Sequence, residues 1–376
     1  MLKHSLAVSG MGEISSGENE PAIYKVRLFR CVNPQSRLAP GSAEPARLEV
    51  SLFADPGTFH IAPGQKMELY TLLPDGQRRK EGTFYLDSAV WTGAHRCTLF
   101  ARDALKFLER DVAPFINSLT AWPYRLGALA RLVCQHCGVS LDTTEFPWSD
   151  LFVEKAIYYY VTGAQVMSWI GAIAGRFCRA TDDGKAELAW YVPTEETVAL
   201  TSQPGRARVE FLGGAVFIQA RDMKLQSGIL TAPGATVSYA NKILTLTLPV
   251  RPGVYGCLQG GLQRRHSPVL PPDGVRIGYS YAAMCRPYPG DGDVLTLTGN
   301  RLLKEIPVDQ MTRLAATVYD DLKNLSFTPC RLRVSAEADI RPGQILTFSD
   351  GAGQYRTLVT ETQRTGAVTE IRGGTL

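Results

Sequence analysis

A five-residue pattern, Ile-x-Pro-Gly-Gln, occurs twice, towards either end of the chain, and each time it heads the same series of strands and turns. Ile61-Ala62-Pro63-Gly64-Gln65 precedes an alternation at Met67, Leu69 and Thr71, a turn at Asp75-Gly76 and a strand-like run over 83–91. Ile340-Arg341-Pro342-Gly343-Gln344 precedes a run over 345–348, a turn at Asp350-Gly351 and a further run over 355–362. Proline fixes φ and glycine accepts positive φ, so Pro-Gly makes a turn that launches a strand. Such turns are common in any β protein, so the pentapeptide alone decides little. The shared order of turn, strand, Asp-Gly turn and strand argues for two related small β-barrels, with Pro63, Gly64, Pro342 and Gly343 as their matching turns.

Periodicity divides the rest. Residues 22–32, 48–52, 67–71, 83–91 and 97–100 read as short strands between Gly, Pro and Asp turns, the pattern of a small barrel or sandwich over 1–105. From 101 the period changes. Ala104, Leu105 and Leu108 share a helical face, and helices are predicted over 122–137 and 163–178, with Gly138 placed as a C-terminal cap. Asp182-Asp183-Gly184 turns into a strand over 187–192, so 106–200 reads as an inserted α+β unit. Residues 201–299 are β-rich, with candidate strands over 209–220, 236–250 and 294–298, and with a Gly/Pro/Tyr-rich irregular insertion over about 251–293. Residues 300–376 open on a helix running from Pro307 to Leu325 and end in strands over 330–334, 345–348, 355–362 and 367–372, completing the second barrel. The fold class is thus α+β, mainly β: two related barrels, an inserted helical unit and an irregular insertion.

The 376 residues carry 40 basic and 36 acidic side chains, a formal charge of +4. That lacks the concentrated basic face of a dedicated nucleic-acid binder. The first 17 residues are broken by Lys3, His4, Gly10, Gly12 and Glu13, without the apolar run of a secretory signal. No stretch approaches the roughly 20 apolar residues of a membrane span, so no stable membrane insertion is expected. The eight cysteines are scattered, as thiols of a reducing compartment would be.

No constellation carries chemistry. Cys134-x-x-Cys137, with His136 inside it, lacks the second ligand pair a zinc site needs and falls in a predicted helix. The five histidines are isolated from one another, and no GxSxG, HExxH or GxxxxGK[ST] sequence occurs. Asp182-Asp183-Gly184 lacks the alternating ligands of a calcium loop and reads as a hairpin turn. Arg264-Arg265-His266 reads as a solvated loop, with phosphate binding the lesser alternative. Tyr158-Tyr159-Tyr160 and Tyr255, Tyr279, Tyr281 and Tyr288 suit sheet or protein interface better than a carbohydrate platform. The expectation is a non-enzymatic protein with no catalytic, cofactor-binding or metal-ligating residues.

Three stretches and the close of the chain resemble the tail-hub proteins of bacteriophages and related contractile injection systems. The run 97–105 (CTLFARDAL) is similar to the family's x-L-x-A-x-D-A-L/M junction. Trp122-Pro123-Tyr124-Arg125-Leu126-Gly127, on to Cys137-Gly138-Val139, resembles its Y-P-x-T-L-G…C-x-x-x-G-V helix. Residues 162–191 resemble T-x-R-Q-V-L-x-W-I-A-x-x-A-G…D-G-K-L-x-L-x-W. Ser326-Phe327-Thr328-Pro329 and Pro342-Gly343-Gln344 stand where the family has Y-x-P and P-G-D, with Gln344 in place of the acid. The likeness covers 48–200 and 300–376 and fades over 1–21 and 225–295. It implies a virion protein of the tail tip or baseplate, assembled in the host cytoplasm as a homotrimer. The implied partners are the tail tube or distal tail protein above, a central spike or fibre below, and the tape-measure protein in a channel through which DNA passes without specific binding. Alternatives are a distal tail or receptor-binding adaptor, or a tail-associated cell-wall hydrolase.

Overall fold

The computed structural model describes residues 2–199 apart from 18–20, 35–39, 143–144 and 156, strands between 210 and 297, and residues 300, 302, 328–349 and 354–375. The N-terminal unit holds β1 (Lys3–Val8), β2 (Gly12–Ser15), β3 (Ala22–Cys31), β4 (Arg47–Phe53), β5 (Lys66–Leu72), β6 (Arg78–Gly93) and β7 (Arg96–Asp103). They run in the order β3-β2-β1-β5-β6-β7-β4, and β4 pairs back onto β3, which closes a seven-stranded barrel. Alternation explains the inward set: Met67 and Leu69 of β5 and Cys97, Leu99 and Ala101 of β7 are buried with Leu6, Leu28, Phe84 and Leu86. β1 has no clear apolar alternation because His4 takes an inward position in line with Leu6 and Val8, and Ser5, on the opposite face, is buried too.

The α+β unit follows a 3-10 turn (Ala104–Glu109), with α1 (Ala113–Ser118), β8 (Tyr124–Arg125), α2 (Leu126–His136), β9 (Phe152–Val153), α3 (Gly163–Ala174), β10 (Phe177–Ala180) and β11 (Ala186–Ala189). Both long helices are shorter than their periodicity predicts. Pro123 keeps Trp122 out of the helical region, and Tyr124 and Arg125 pair with β9, so α2 starts at Leu126. Gly175 takes a left-handed conformation and ends α3, and Phe177–Ala180 then pairs with β11. Thr162 and Gln165 form a capping box, each side chain accepting the other's backbone N–H at 3.1 and 3.0 Å. Leu129, Val133, Val166, Ile170 and Phe177 make one core.

The C-terminal unit uses β12 (Val192–Ala199), β13 (Glu210–Phe211) and, after the middle sheet, β21 (Thr328–Ser335), β22 (Gln344–Ser349), β23 (Gln354–Thr365) and β24 (Val368–Thr375). Their order is β12-β22-β23-β24-β21-β13, and among the described residues this sheet is open. Leu332, Ile340, Phe348, Val359 and Ile371 form its core. β23 also pairs antiparallel with β3, from Glu361↔Cys31 to Thr365↔Arg27, joining both units into one thirteen-stranded sheet.

Between β13 and β21 lies a separate seven-stranded sheet: β14 (Ile218–Ala220), β15 (Gln226–Leu230), β16 (Thr236–Ala240), β17 (Ile243–Pro249), β18 (Val254–Gly261), β19 (Val275–Cys285) and β20 (Thr296–Leu297). This corrects the irregular insertion expected over 251–293, since β18 and β19 pair from Val254↔Cys285 to Gln259↔Ser280. Its glycines and prolines mask the period-two run Val275, Ile277, Tyr279 and Tyr281. The helix expected from Pro307 to Leu325 lies outside the described residues, as do Arg264-Arg265-His266 and Tyr288. No described helix is long and apolar enough to cross a membrane.

Candidate functional site: the Pro-Gly turns and the junction of the β units

The two Pro-Gly turns are held by matching bonds. Gly64 and Gly343 have φ of 83° and 90°, the left-handed region that favours glycine. The Gly64 N–H donates to the Leu86 carbonyl of β6 at 2.8 Å, and the Gly343 N–H donates to the Val359 carbonyl of β23 at 2.8 Å. The Gln65 side-chain oxygen accepts the Ala62 N–H at 3.2 Å; Gln344 accepts the Arg341 N–H at 2.8 Å. The strands that follow agree as well. β5-β6-β7-β4 and β22-β23-β24-β21 have the same order, all antiparallel. β6 has a bulge against β7 between Leu86 and Ser88, and β23 has one against β24 between Val359 and Glu361. In each, the bulge begins at the residue that accepts the turn glycine.

The surroundings of the turns differ. Pro63 and Gly64 are exposed, whereas Pro342 and Gly343 are buried beneath the α+β unit. Arg179 donates to the Pro342 carbonyl at 3.1 Å, and a Cβ on Gly343 would stand 2.8 Å from both the Arg179 guanidinium and the Phe177 ring. The turn also borders a cleft of about 700 Å³ between the three units, with Arg30, Asp103, Arg179 and Arg341 in its wall.

Where β3 meets β23, a carboxylate is buried among arginines. Glu81 on β6 has a fully buried side chain, and Arg364 on β23 is 4% exposed; the two meet at 2.5 Å. Arg79 donates to the same oxygen at 3.0 and 3.1 Å, the Thr71 hydroxyl at 2.7 Å, and Arg30 lies 3.4 Å from the other oxygen. Burial alone would raise the Glu81 pKa, but the charges of Arg30, Arg364 and Arg79 and the Thr71 bond outweigh it and hold the carboxyl well below the usual range. His4, beside Thr71 at 3.4 Å, is pushed down to about 4 by burial and the Arg364 charge. Further bonds tie the loop 336–341 to this cluster. Arg79 donates to the Glu337 carbonyl at 2.6 Å, and Arg341 donates to the Lys80 carbonyl at 3.0 Å and to Asp339 at 2.9 Å.

The Asp182-Asp183-Gly184 turn is part of the same lock. Asp182 accepts from Arg341, Asp183 from Lys80 at 2.8 Å, and the Asp182 carbonyl from Thr83 at 2.8 Å. Both carboxylates are thus committed to bonds with the β units. Asp103 links barrel to helical unit in another way, accepting the Ala46 and Leu105 N–H groups at 2.8 and 2.9 Å; burial pushes its carboxyl up to about 7.

Cys134 lies buried on α2 and Cys137 just past its end; burial raises both thiols, Cys134 to about 12. Among the described residues no group of His, Cys, Asp or Glu has the arrangement of a metal site. Tyr158 is buried, its N–H and carbonyl bonded to Asn117, whereas Tyr159 is 96% exposed. Tyr255, Tyr279 and Tyr281 lie on β18 and β19. The arginine–glutamate junction escapes sequence reasoning: Arg30, Glu81 and Arg364 are far apart along the chain, and each sits in a strand whose charges read as solvent-facing.

No family model matches the sequence, and no curated sequence is similar to it. Solved structures are similar over nearly the whole length. A tail protein of Neisseria meningitidis MC58 aligns with a TM-score of 0.56 at 12% identity, covering 99% of this chain and 96% of that one. The 43 kDa tail protein of prophage MuSo2 from Shewanella oneidensis aligns with a TM-score of 0.53 at 11% identity, covering 99% and 97%. The chain has the fold of these phage tail proteins.

Proposed function

We propose that the chain is a non-enzymatic hub at the distal end of a phage tail, working as a homotrimer whose six β units form a pseudo-six-fold ring. The observation that carries this is the repetition within one chain: two four-stranded sheets of the same order, each opened by a Pro-Gly-Gln turn with the same bonds and each bulged at the same place. Pro63-Gly64 and Pro342-Gly343 are then equivalent turns of two related barrels. One chain carrying two such units can place both at equivalent radial positions, and head-to-tail contacts close into a ring when the rotation permits. Three chains present six similar units to a six-fold tail tube or distal tail protein above. They keep true three-fold symmetry for a spike or fibre below. The α+β unit covers the Pro342-Gly343 turn and leaves Pro63-Gly64 open, so it marks the three-fold face. The near-balanced charge suits a channel through which DNA and the tape-measure protein pass, because strong phosphate pairing would hold the DNA.

The test is the number of copies per tail, by mass or by a reconstruction of the assembled particle. Three copies in one ring are expected; six copies or one would overturn the reading.

A further inference from the structure

β6 is long, and its far end is paired on one side only. Over 78–85 it pairs with β5, and from Phe84 to Gly93 it pairs with β7. β5 ends at Lys66, opposite Tyr85, and among the described residues the β5-side edge of 88–92 has no strand against it. Val90 and Trp91 on this stretch are 45% and 37% exposed. An open strand edge beside exposed apolar side chains is a template for another chain unless it is covered.

The C-terminal unit shows what covers it. Aligning the two glycine turns and the bulges that follow them places Ser88 on Glu361, Val90 on Gln363 and Trp91 on Arg364; a second bulge in β6, between Trp91 and Gly93, ends the correspondence there. In β23 those residues have a partner on the corresponding edge: β3, in the register Arg364↔Leu28 and Thr365↔Arg27. β3 in turn lies against β4, with Leu28↔Leu48 and Arg27↔Glu49. Carried through the same alignment, Leu48 falls on Cys330 and Glu49 on Arg331, so the counterpart of β3 is β13, where Phe211↔Cys330 and Glu210↔Arg331. The contact that joins the two units inside one chain therefore has both of its halves left over: the edge of β6 in the first unit and β13 in the second.

We infer that these two leftovers meet between copies: the edge of β6 at 88–92 receives β13 of a neighbouring copy of this chain as an added antiparallel strand, with Trp91 opposite Phe211 of the neighbour. The inference rests on the ring proposed above and supplies its intersubunit contact. The contact is heterologous, so three repetitions close the ring, and strand addition supplies main-chain hydrogen bonds without a large apolar face.

Residues directly opposite in an antiparallel pair have Cα atoms about 4.5–5.5 Å apart, within reach of a disulfide. The experiment is a full-length chain carrying Trp91→Cys and Phe211→Cys, oxidised at high concentration and compared with each single variant and with the out-of-register pair Ala89→Cys and Phe211→Cys. A covalent trimer on a non-reducing gel from the first pair alone is expected. A trimer by native mass spectrometry that does not cross-link through this pair would overturn the contact and leave the ring standing. Any other copy number would overturn the ring and the contact with it. Hydrogen exchange on the unsubstituted chain guards against a variant that fails to fold. In the trimer, the 88–92 amides that point away from β7 are expected to be protected, and free exchange there would refute the contact.

Discussion

Replacing Glu81 by glutamine keeps the volume of the side chain and one acceptor for the Thr71 hydroxyl but removes the charge that faces Arg364, Arg79 and Arg30. Those guanidiniums are 4%, 14% and 14% exposed, so water cannot replace the lost partner. Breaking a buried pair from one side costs about 3–5 kcal/mol, because a desolvated charge is left behind. The exposed pair Arg27–Glu49, at 46% and 27%, is the internal control: Glu49→Gln is expected to cost about 0–1 kcal/mol. The assay is urea unfolding followed by tryptophan fluorescence and by limited proteolysis. Glu81→Gln is expected to lower stability by the larger amount and to expose the junction of β3 and β23 to protease before either unit melts. Combining Glu81→Gln with Arg364→Met removes both members of the closest pair, so the double variant should lose about 1–3 kcal/mol less than the sum of the single losses. A Glu81→Gln cost no greater than that of Glu49→Gln, or strict additivity in the double variant, would refute the claim that this cluster clamps the two β units.

Gly343→Ala is expected to cost about 2–4 kcal/mol, since it adds a contact at 2.8 Å to a left-handed backbone, whereas Gly64→Ala meets open space and should cost about 1 kcal/mol; thermal unfolding of the pair checks the difference. Asp103 is raised from 3.8 to about 7, so the fold retains a proton the unfolded chain has released; this contribution is complete below about pH 4 and is lost as pH rises through 7. Asp103→Asn should flatten that slope in urea titrations at several pH values, while costing about 1 kcal/mol for the acceptor it gives up to the Ala46 or Leu105 N–H.

The strands that alternate cleanly were legible from the residues alone. Leu48, Val50 and Leu52, and Met67 and Leu69, stand inward as their spacing requires. β1 was not legible, because His4 fills an inward position and Ser5 is buried on the opposite face, so neither face shows an apolar rhythm. β18 and β19 were hidden by glycine and proline, which signal turns by composition even where the backbone pairs. The two Pro-Gly-Gln turns stand out in the sequence, but their shared bonds to Leu86 and Val359 depend on tertiary pairing. Arg364 was the hardest to foresee: it occupies an inward position in β23 only because Glu81 waits across the junction. A lone strand carries no sign of that partner.

The pairing of β3 with β23 also sets a schedule. Residues 27–31 leave the ribosome early, yet the strand that covers them comes on the order of 300 residues later. At about 5–20 residues per second, the barrel's outer edge stays bare for some tens of seconds during synthesis. Lys25, Arg27 and Arg30 lie along that edge, and like charges repel a second nascent chain that would otherwise pair there. The same basic residues that end up clamped or solvent-facing in the finished fold thus keep the unfinished chain from joining its neighbours too soon.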